Sequence, residues 1–434
     1  MDDPRHETEP RRKPAAEARS PSTLAAPLGR GDDPETGPGW LVAAYLAMTF
    51  LGFLVFHYGG VTTRGHELGA ARSVFMAVNA ATCTGFQSTV GVEDLDERGL
   101  LGPATVLVLT VGGALFSMVA GGMAVVRILR LPYTDNQVAF AGLAAMVIAV
   151  LAGATPLLAQ DRRMFDAVFQ AASAFSNSGL TVGRLSGPSS VVTHAVLLPL
   201  ALGGGLGLTV LMELFDRVTR VSRRVSDHAR TVLVSSAAIY VVGTLLFTLA
   251  LLPRRTYPAG AESPQWRQAA SSGSVAAVNS RTAGLPFEYA GAYPRAVQWV
   301  LIALMAVGAN PAGSGGGIKA TAVVQLAGGV RSALRGAAVP RAFGVAAVWL
   351  GVYSAIVFAG LLLLLWRAPD LSADRLLFLT VSAASNVGLS HDPISMTGPG
   401  VYTLCAVMLA GRIAPVFILW WMARTTHDAE LAVA

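Results

Sequence analysis

The chain has 434 residues, 53% of them hydrophobic and 13% charged, with a mean hydropathy of +0.54. A soluble domain carries about 25% charged residues, so this composition excludes an ordinary water-soluble globule and points to lipid as the main solvent. The net charge is +6, but long uncharged stretches separate the basic residues. That distribution fits a membrane orientation signal better than a nucleic-acid surface, and no nucleic-acid partner is expected.

Residues 1–38 mix Pro, Arg, Asp and Glu without an apolar core and read as a disordered tail with no signal peptide. A spanning helix needs about 20 mostly apolar residues. Eight segments qualify: Trp40–Phe56, Leu100–Val126, Val138–Ala159, Val191–Met212, Thr231–Pro253, Ala296–Ile318, Ala342–Trp366 and Gly400–Ala423. Residues 426–434 form a second tail. The connections after spans two, four and six are rich in arginine: Arg127 and Arg130; Arg217, Arg220, Arg223, Arg224 and Arg230; and Arg331, Arg335 and Arg341, with Lys319. The positive-inside rule puts that side, and both termini, in the cytoplasm of a multi-pass cell-membrane protein.

The segments after spans one, three, five and seven are too polar to span and too apolar for plain loops. Each has a short helix-like run, then Ala, Ser, Asn or Thr, then a glycine followed by a bulky apolar residue. The glycines Gly85, Gly179, Gly284 and Gly388 recur about every 100 residues, which predicts parallel repeats around an axis along the membrane normal. The expected fold is an all-α polytopic membrane protein. It has four parallel repeats of span, re-entrant pore helix and span around a central pore: eight spans and four pore helices. The repeats are 39–130, 131–225, 226–335 and 336–425.

Non-helical backbone at membrane depth is tolerated where it is buried in protein or lines a water-filled cavity. A ring of four extended loops with inward carbonyls can replace the water around a bare cation, and helix C-termini add negative partial charge. No ring of Asp or Glu flanks these glycines, which favours a monovalent cation held by carbonyls. The filter candidates are Cys83, Thr84, Gly85 and Phe86; Asn177, Ser178, Gly179 and Leu180; Thr282, Ala283, Gly284 and Leu285; and Asn386, Val387, Gly388 and Leu389. Cys83 is read as a carbonyl donor with an incidental thiol. Arg281 is expected to turn away from the filter and hold its loop by hydrogen bonds.

Gly313, Ser314, Gly315, Gly316 and Gly317 interrupt the sixth span. Glycine costs a helix interior about 1 kcal/mol relative to alanine, so the cluster is expected to break the helix. It then forms either a gate loop or a close-packing surface of small residues. Arg412 lies near the middle of the last span and has two readings. It faces the pore as a barrier to cations, or it snorkels to the cytoplasmic interface. Lys319, at the end of the broken span, is read first as an interface anchor and second as part of the gate. His57 and His194 are read as structural or interfacial. Glu93, Asp94, Asp96 and Glu97 are read as a solvated outer loop.

No HExxH is present, no G-x-S-x-G with a placed His, and no carboxylate pair inside the spans, so no enzyme is expected. GSGGGIK resembles a phosphate loop, but Ala320 stands where that pattern needs Ser or Thr. A secondary transporter with inverted repeats remains an alternative.

These strings resemble the Trk/Ktr/HKT superfamily of potassium transporters over residues 40–423. The resemblance rests on TCTGF (Thr82–Phe86), SAFSNSGL (Ser173–Leu180), NSRTAGL (Asn279–Leu285), SNVGLS (Ser385–Ser390), NPAGSGGGIKATA (Asn310–Ala322) and LAGRIAP (Leu409–Pro415). It implies a KtrB-type, TrkH-like pore subunit that passes K⁺ down the membrane potential. It also implies a homodimer in membrane lipid, gated by a cytosolic nucleotide-binding ring of the KtrA/TrkA type. Glycine at all four filter positions goes with K⁺ selectivity in this family. A Na⁺-permeable or Na⁺-coupled transporter of the same fold is the alternative. Asn310, Ala312 and Pro286 depart from the family's pattern.

Overall fold

Every backbone N–H and C=O must find a partner away from water, so an apolar run in lipid folds as helix. The computed structural model describes residues 37–425, apart from 64–65, 89–90, 93, 96–98, 161, 223–224, 253–264, 284, 288 and 395–397. Residues 1–36 and 426–434 of the expected tails, Gly284, Glu93, Asp96 and Glu97 lie outside the described residues.

Among the described residues, six helices are long and apolar enough to cross a membrane. They are α1 (Gly39–Tyr58), α3 (Leu101–Leu129), α4 (Asp135–Leu158), α8 (Asp227–Leu251), α12 (Arg341–Arg367) and α14 (Pro399–Thr425). Four short helices stand between long ones: α2 (Ala70–Ala81), α5 (Met164–Phe175), α9 (Gln265–Val278) and α13 (Ala373–Ala384). At about 1.5 Å per residue none of the four can cross a ~30 Å hydrocarbon layer. The chain is therefore an all-α polytopic membrane protein; among the described residues the extended structure is a short ribbon, Thr62–Thr63 with His66–Glu67, and two isolated bridges.

Two expected spans are not single helices. The fourth begins with a π turn (Thr193–Leu197) and runs as α6 (Leu198–Leu206). It then breaks at Gly207 and continues as α7 (Leu208–Val218), bent by 106°. Gly207 has φ +100°, which a residue with a side chain rarely adopts. The sixth is helical only as α10 (Arg295–Ala306), six residues short of the glycine cluster. Residues 307–319 are non-helical, and the connection expected beyond them is itself a helix, α11 (Ala320–Leu334).

Side-chain caps fix two helix starts beside the Arg-rich connections. Thr134 and Gln137 form a reciprocal capping box at α4, and the Ser226 hydroxyl accepts the Ala229 amide at α8. Arg127 pairs with Asp135 at 2.7 Å across the first of these connections.

Packing closes the helices into a cycle. Helix α3 packs against α5, α6 against α9, α10 against α13, and α14 against α2. Each second long element thus supports the short helix of the next unit, and the last supports the first. In α3 the most apolar stretch is 67% buried, against 17% in α12, so α3 is interior and α12 faces lipid.

Candidate ion pore

Three of the short helices end in the same way. Thr84 N–H donates to Asn79 O, Ser178 N–H to Ser173 O and Val387 N–H to Ser382 O. One residue earlier, Cys83, Asn177 and Asn386 donate to Ala80, Ala174 and Ala383. This is the Schellman pattern, whose penultimate position is left-handed. Cys83, Asn177 and Asn386 have φ of 51°, 56° and 49°. Two residues further on, Gly85, Gly179 and Gly388 are again left-handed, with φ of 78°, 72° and 83°. The third helix instead ends in a π turn, Asn279–Ala283, which includes Thr282 and Ala283 of the expected filter.

The loops meet one another. A methyl group on Gly85 would overlap the Ser178 carbonyl oxygen, and one on Gly388 would overlap that of Thr84. Gln87 Nε2 donates to the carbonyls of Gly85 (3.2 Å) and Gly179 (3.4 Å). Asn386 Nδ2 donates to Thr84 Oγ1 at 3.1 Å, and Ile394 N–H to Gln87 O at 2.8 Å. The segment after the third helix joins the fourth loop through Ala290 N–H to Ser390 O (2.9 Å). Pro286, Phe287, Gly388 and Gln87 line one cleft. Cys83, Phe86, Leu180, Leu285, Val387 and Leu389 are buried behind or between the loops, and Cys83 Sγ donates to Thr110 O at 3.2 Å. Both cysteines are free.

A second set of glycines shares no repeated string in the sequence. Gly113 on α3, Gly204 on α6 and Gly411 on α14 press against the last carbonyls of α2, α5 and α13, those of Ala81, Phe175 and Ala384. A methyl group at any of the three would overlap that oxygen. Tyr45 on α1 donates its hydroxyl to Ala81 O as well, at 3.2 Å.

Segment 307–319 lies against all four units. Ser117 on α3 donates to Gly313 O at 2.9 Å. Asn310 and Ser314 N–H groups donate to Gly205 O (3.1 Å) and Gly204 O (2.9 Å). Leu208 N–H, freed by the bend at Gly207, donates to Ala312 O at 2.9 Å. Asn177 Nδ2 donates to Ser314 Oγ at 2.6 Å, and Ser314 Oγ donates to Phe175 O at 3.0 Å. A methyl group on Gly316 would overlap Ser385 O. Arg281 donates from Nε to Val307 O (3.3 Å) and from Nη2 to Gly308 O (2.9 Å), so it holds segment 307–319 rather than its own loop.

The structure selects one of the two readings of Arg412 and overturns the first reading of Lys319. Arg412 is 2% exposed and donates to Ser314 O and to Gly113 O, so it does not snorkel. Lys319 is 3% exposed and donates to Gly315 O at 3.0 Å, so it is not an interface anchor. Both charges are spent on carbonyls of the buried segment, because a cation at this depth needs oxygen partners. Nearby, Asn177 Oδ1, Ser178 Oγ, Asn310 Oδ1 and Asn386 Oδ1 are buried with no hydrogen-bond partner among the described residues. Such acceptors suit water or a partly hydrated cation. On the far side of the filter loops, burial and then Arg375 hold the His391 imidazole below its ordinary range. Its Nε2 lies 2.9 Å from Gln298 Oε1.

Interlocked glycine loops on half-length helices, closed into a cycle, define a membrane-embedded transport fold. Residues 124–422 match the family TrkH: Cation transport protein, and the chain belongs to that family. Its members are cation transporters and not enzymes, which agrees with the reading of the sequence strings. Ktr system potassium uptake protein B of Vibrio alginolyticus is 28% identical over 284 residues, 62% of this chain. The chain spans 61% of that relative's length. The potassium transporter TrkH of Vibrio parahaemolyticus, known from a crystal structure, superposes with a TM-score of 0.69. It is 17% identical, and the match covers 93% of this chain and 88% of that one, which shows the shared fold.

Proposed function

We propose that this chain is the pore subunit of a potassium uptake system. K⁺ sheds water at the loops of Thr84–Phe86, Ser178–Leu180, Thr282–Leu285 and Val387–Leu389. It then enters a space lined by Asn and Ser oxygens and passes segment 307–319 when that segment yields. The membrane potential drives the ion, at about 2.3 kcal/mol per charge per 100 mV. Segment 307–319 is the gate, with Gly313–Gly317 at its tip and Lys319 and Arg412 holding it closed. The Arg-rich connections face the cytoplasm, where a nucleotide-binding ring acts on a homodimer of the chain.

The observation that carries this reading is the triple recurrence of one backbone device. A Schellman turn and a left-handed glycine recur in three loops, and the first of these touches the other two. The potassium uptake named for the relative from Vibrio alginolyticus supports the choice of ion. The test is growth at limiting K⁺ of a bacterium stripped of its own K⁺ uptake systems. Expression of the full chain, with its regulatory ring if one is needed, restores growth, and Gly85→Ser weakens the rescue. Equal rescue by wild type and Gly85→Ser contradicts the assignment of the filter.

A further inference from the structure

The first and third loops of the pore share one side-chain anchor, and the second and fourth lack it. In the first unit, Asn79 on α2 is 1% exposed and makes two hydrogen bonds to one residue of the filter. Its Nδ2 donates to Phe86 O at 2.9 Å, and its Oδ1 accepts from Phe86 N–H at 2.9 Å. In the third unit, Asn279 treats Leu285 the same way, donating to its oxygen at 2.9 Å and accepting from its N–H at 3.2 Å. The second unit has serine instead, and Ser173 Oγ donates to Leu180 O alone, at 2.6 Å. The fourth has Ser382, buried, whose hydroxyl has no partner among the described residues.

The N–H and C=O of one trans peptide point in opposite directions. Drawing Phe86 N–H back toward the pore helix therefore aims the Gly85 carbonyl away from it, where Gln87 Nε2 of the same loop donates to it. A side-chain amide can do this because it carries a donor and an acceptor together, whereas a hydroxyl reaching one carbonyl leaves the N–H free. Selectivity in a carbonyl filter depends on where the oxygens stand and how firmly they are held.

Resting on the K⁺-filter reading above, we infer that Asn79 and Asn279 are positioning residues that set ion discrimination. They stiffen two opposite loops, while the loops behind Ser173 and Ser382 stay softer. The filter is four-fold in its glycines and two-fold in its asparagine anchors.

The test compares K⁺ and Na⁺ flux through the full chain in liposomes, at matched amounts of monodisperse protein. The variants are Asn79→Ala, Asn79→Ser, Asn279→Ala and Ser382→Ala. Two lost hydrogen bonds predict a roughly tenfold fall in the K⁺:Na⁺ ratio for each alanine variant of the asparagines. Asn79→Ser, which copies the native second unit, should fall between wild type and Asn79→Ala. Ser382→Ala should keep the wild-type ratio. A wild-type protein that does not discriminate defeats the filter reading itself. A selective wild type whose Asn79→Ala and Asn279→Ala variants remain equally selective overturns the inference and leaves that reading standing. A purely structural role would lower the yield of folded protein and leave the ratio of what remains unchanged.

Discussion

A methyl group on Gly411 would overlap the carbonyl oxygen of Ala384, and the same holds for Gly113 against Ala81 and Gly204 against Phe175. Overpacking of this kind costs about 1–3 kcal/mol, so Gly411→Ala should lower the melting temperature of the purified protein. An unchanged melting temperature would mean that α14 can retreat freely from α13. Arg412 is the other decisive single residue. Its guanidinium ties segment 307–319 to α14 and α3, and Arg412→Ala removes both the tie and a buried charge. Flux in liposomes should rise; a fall in folded protein of wild-type stability would oppose the barrier role. The left-handed glycines Gly85, Gly179 and Gly388 were legible in the sequence because each sits in a short string repeated at the same place between spans. Gly113, Gly204 and Gly411 were not, since 46 glycines crowd this chain and these three stand at varying distances from the filter. The inward fate of Lys319 was illegible too. A lysine at the end of an apolar run reads as an anchor until the fold folds that run back inside.

At the scale of elements, the bend at Gly207 and segment 307–319 form one feature. The break in the fourth span frees Leu208 N–H and the carbonyls of Gly204 and Gly205, and the segment satisfies all three through Ala312, Ser314 and Asn310. Gly207→Ala forces a side chain into φ +100°, a strain of order 1–3 kcal/mol. It should destabilise the protein thermally and loosen the segment, read as faster amide exchange at Asn310 and Ser314. Exchange unchanged at both amides would separate the bend from the gate. Deleting Ala312–Gly317 outright should raise flux, and unchanged flux would count against a gate. The sequence marked the sixth span as broken because its glycines cluster. It left the fourth span intact, since hydropathy sums are blind to one left-handed residue inside an apolar run.

At the scale of the molecule, the cycle α3–α5, α6–α9, α10–α13 and α14–α2 brings loops a hundred residues apart into contact. Parallel repeats imply that closure, because equivalent units with one orientation surround an axis. The different anchors behind the loops were beyond the repeat pattern, as asparagine and serine look alike in a polar string. The most direct test of the account is potential-driven flux of K⁺, Rb⁺ and Na⁺ into liposomes holding the purified chain at fixed voltage. The account predicts K⁺ and Rb⁺ well above Na⁺, with the difference reduced by Gly85→Ser. Equal passage of Na⁺, or no passage even after residues 312–317 are deleted, would contradict it.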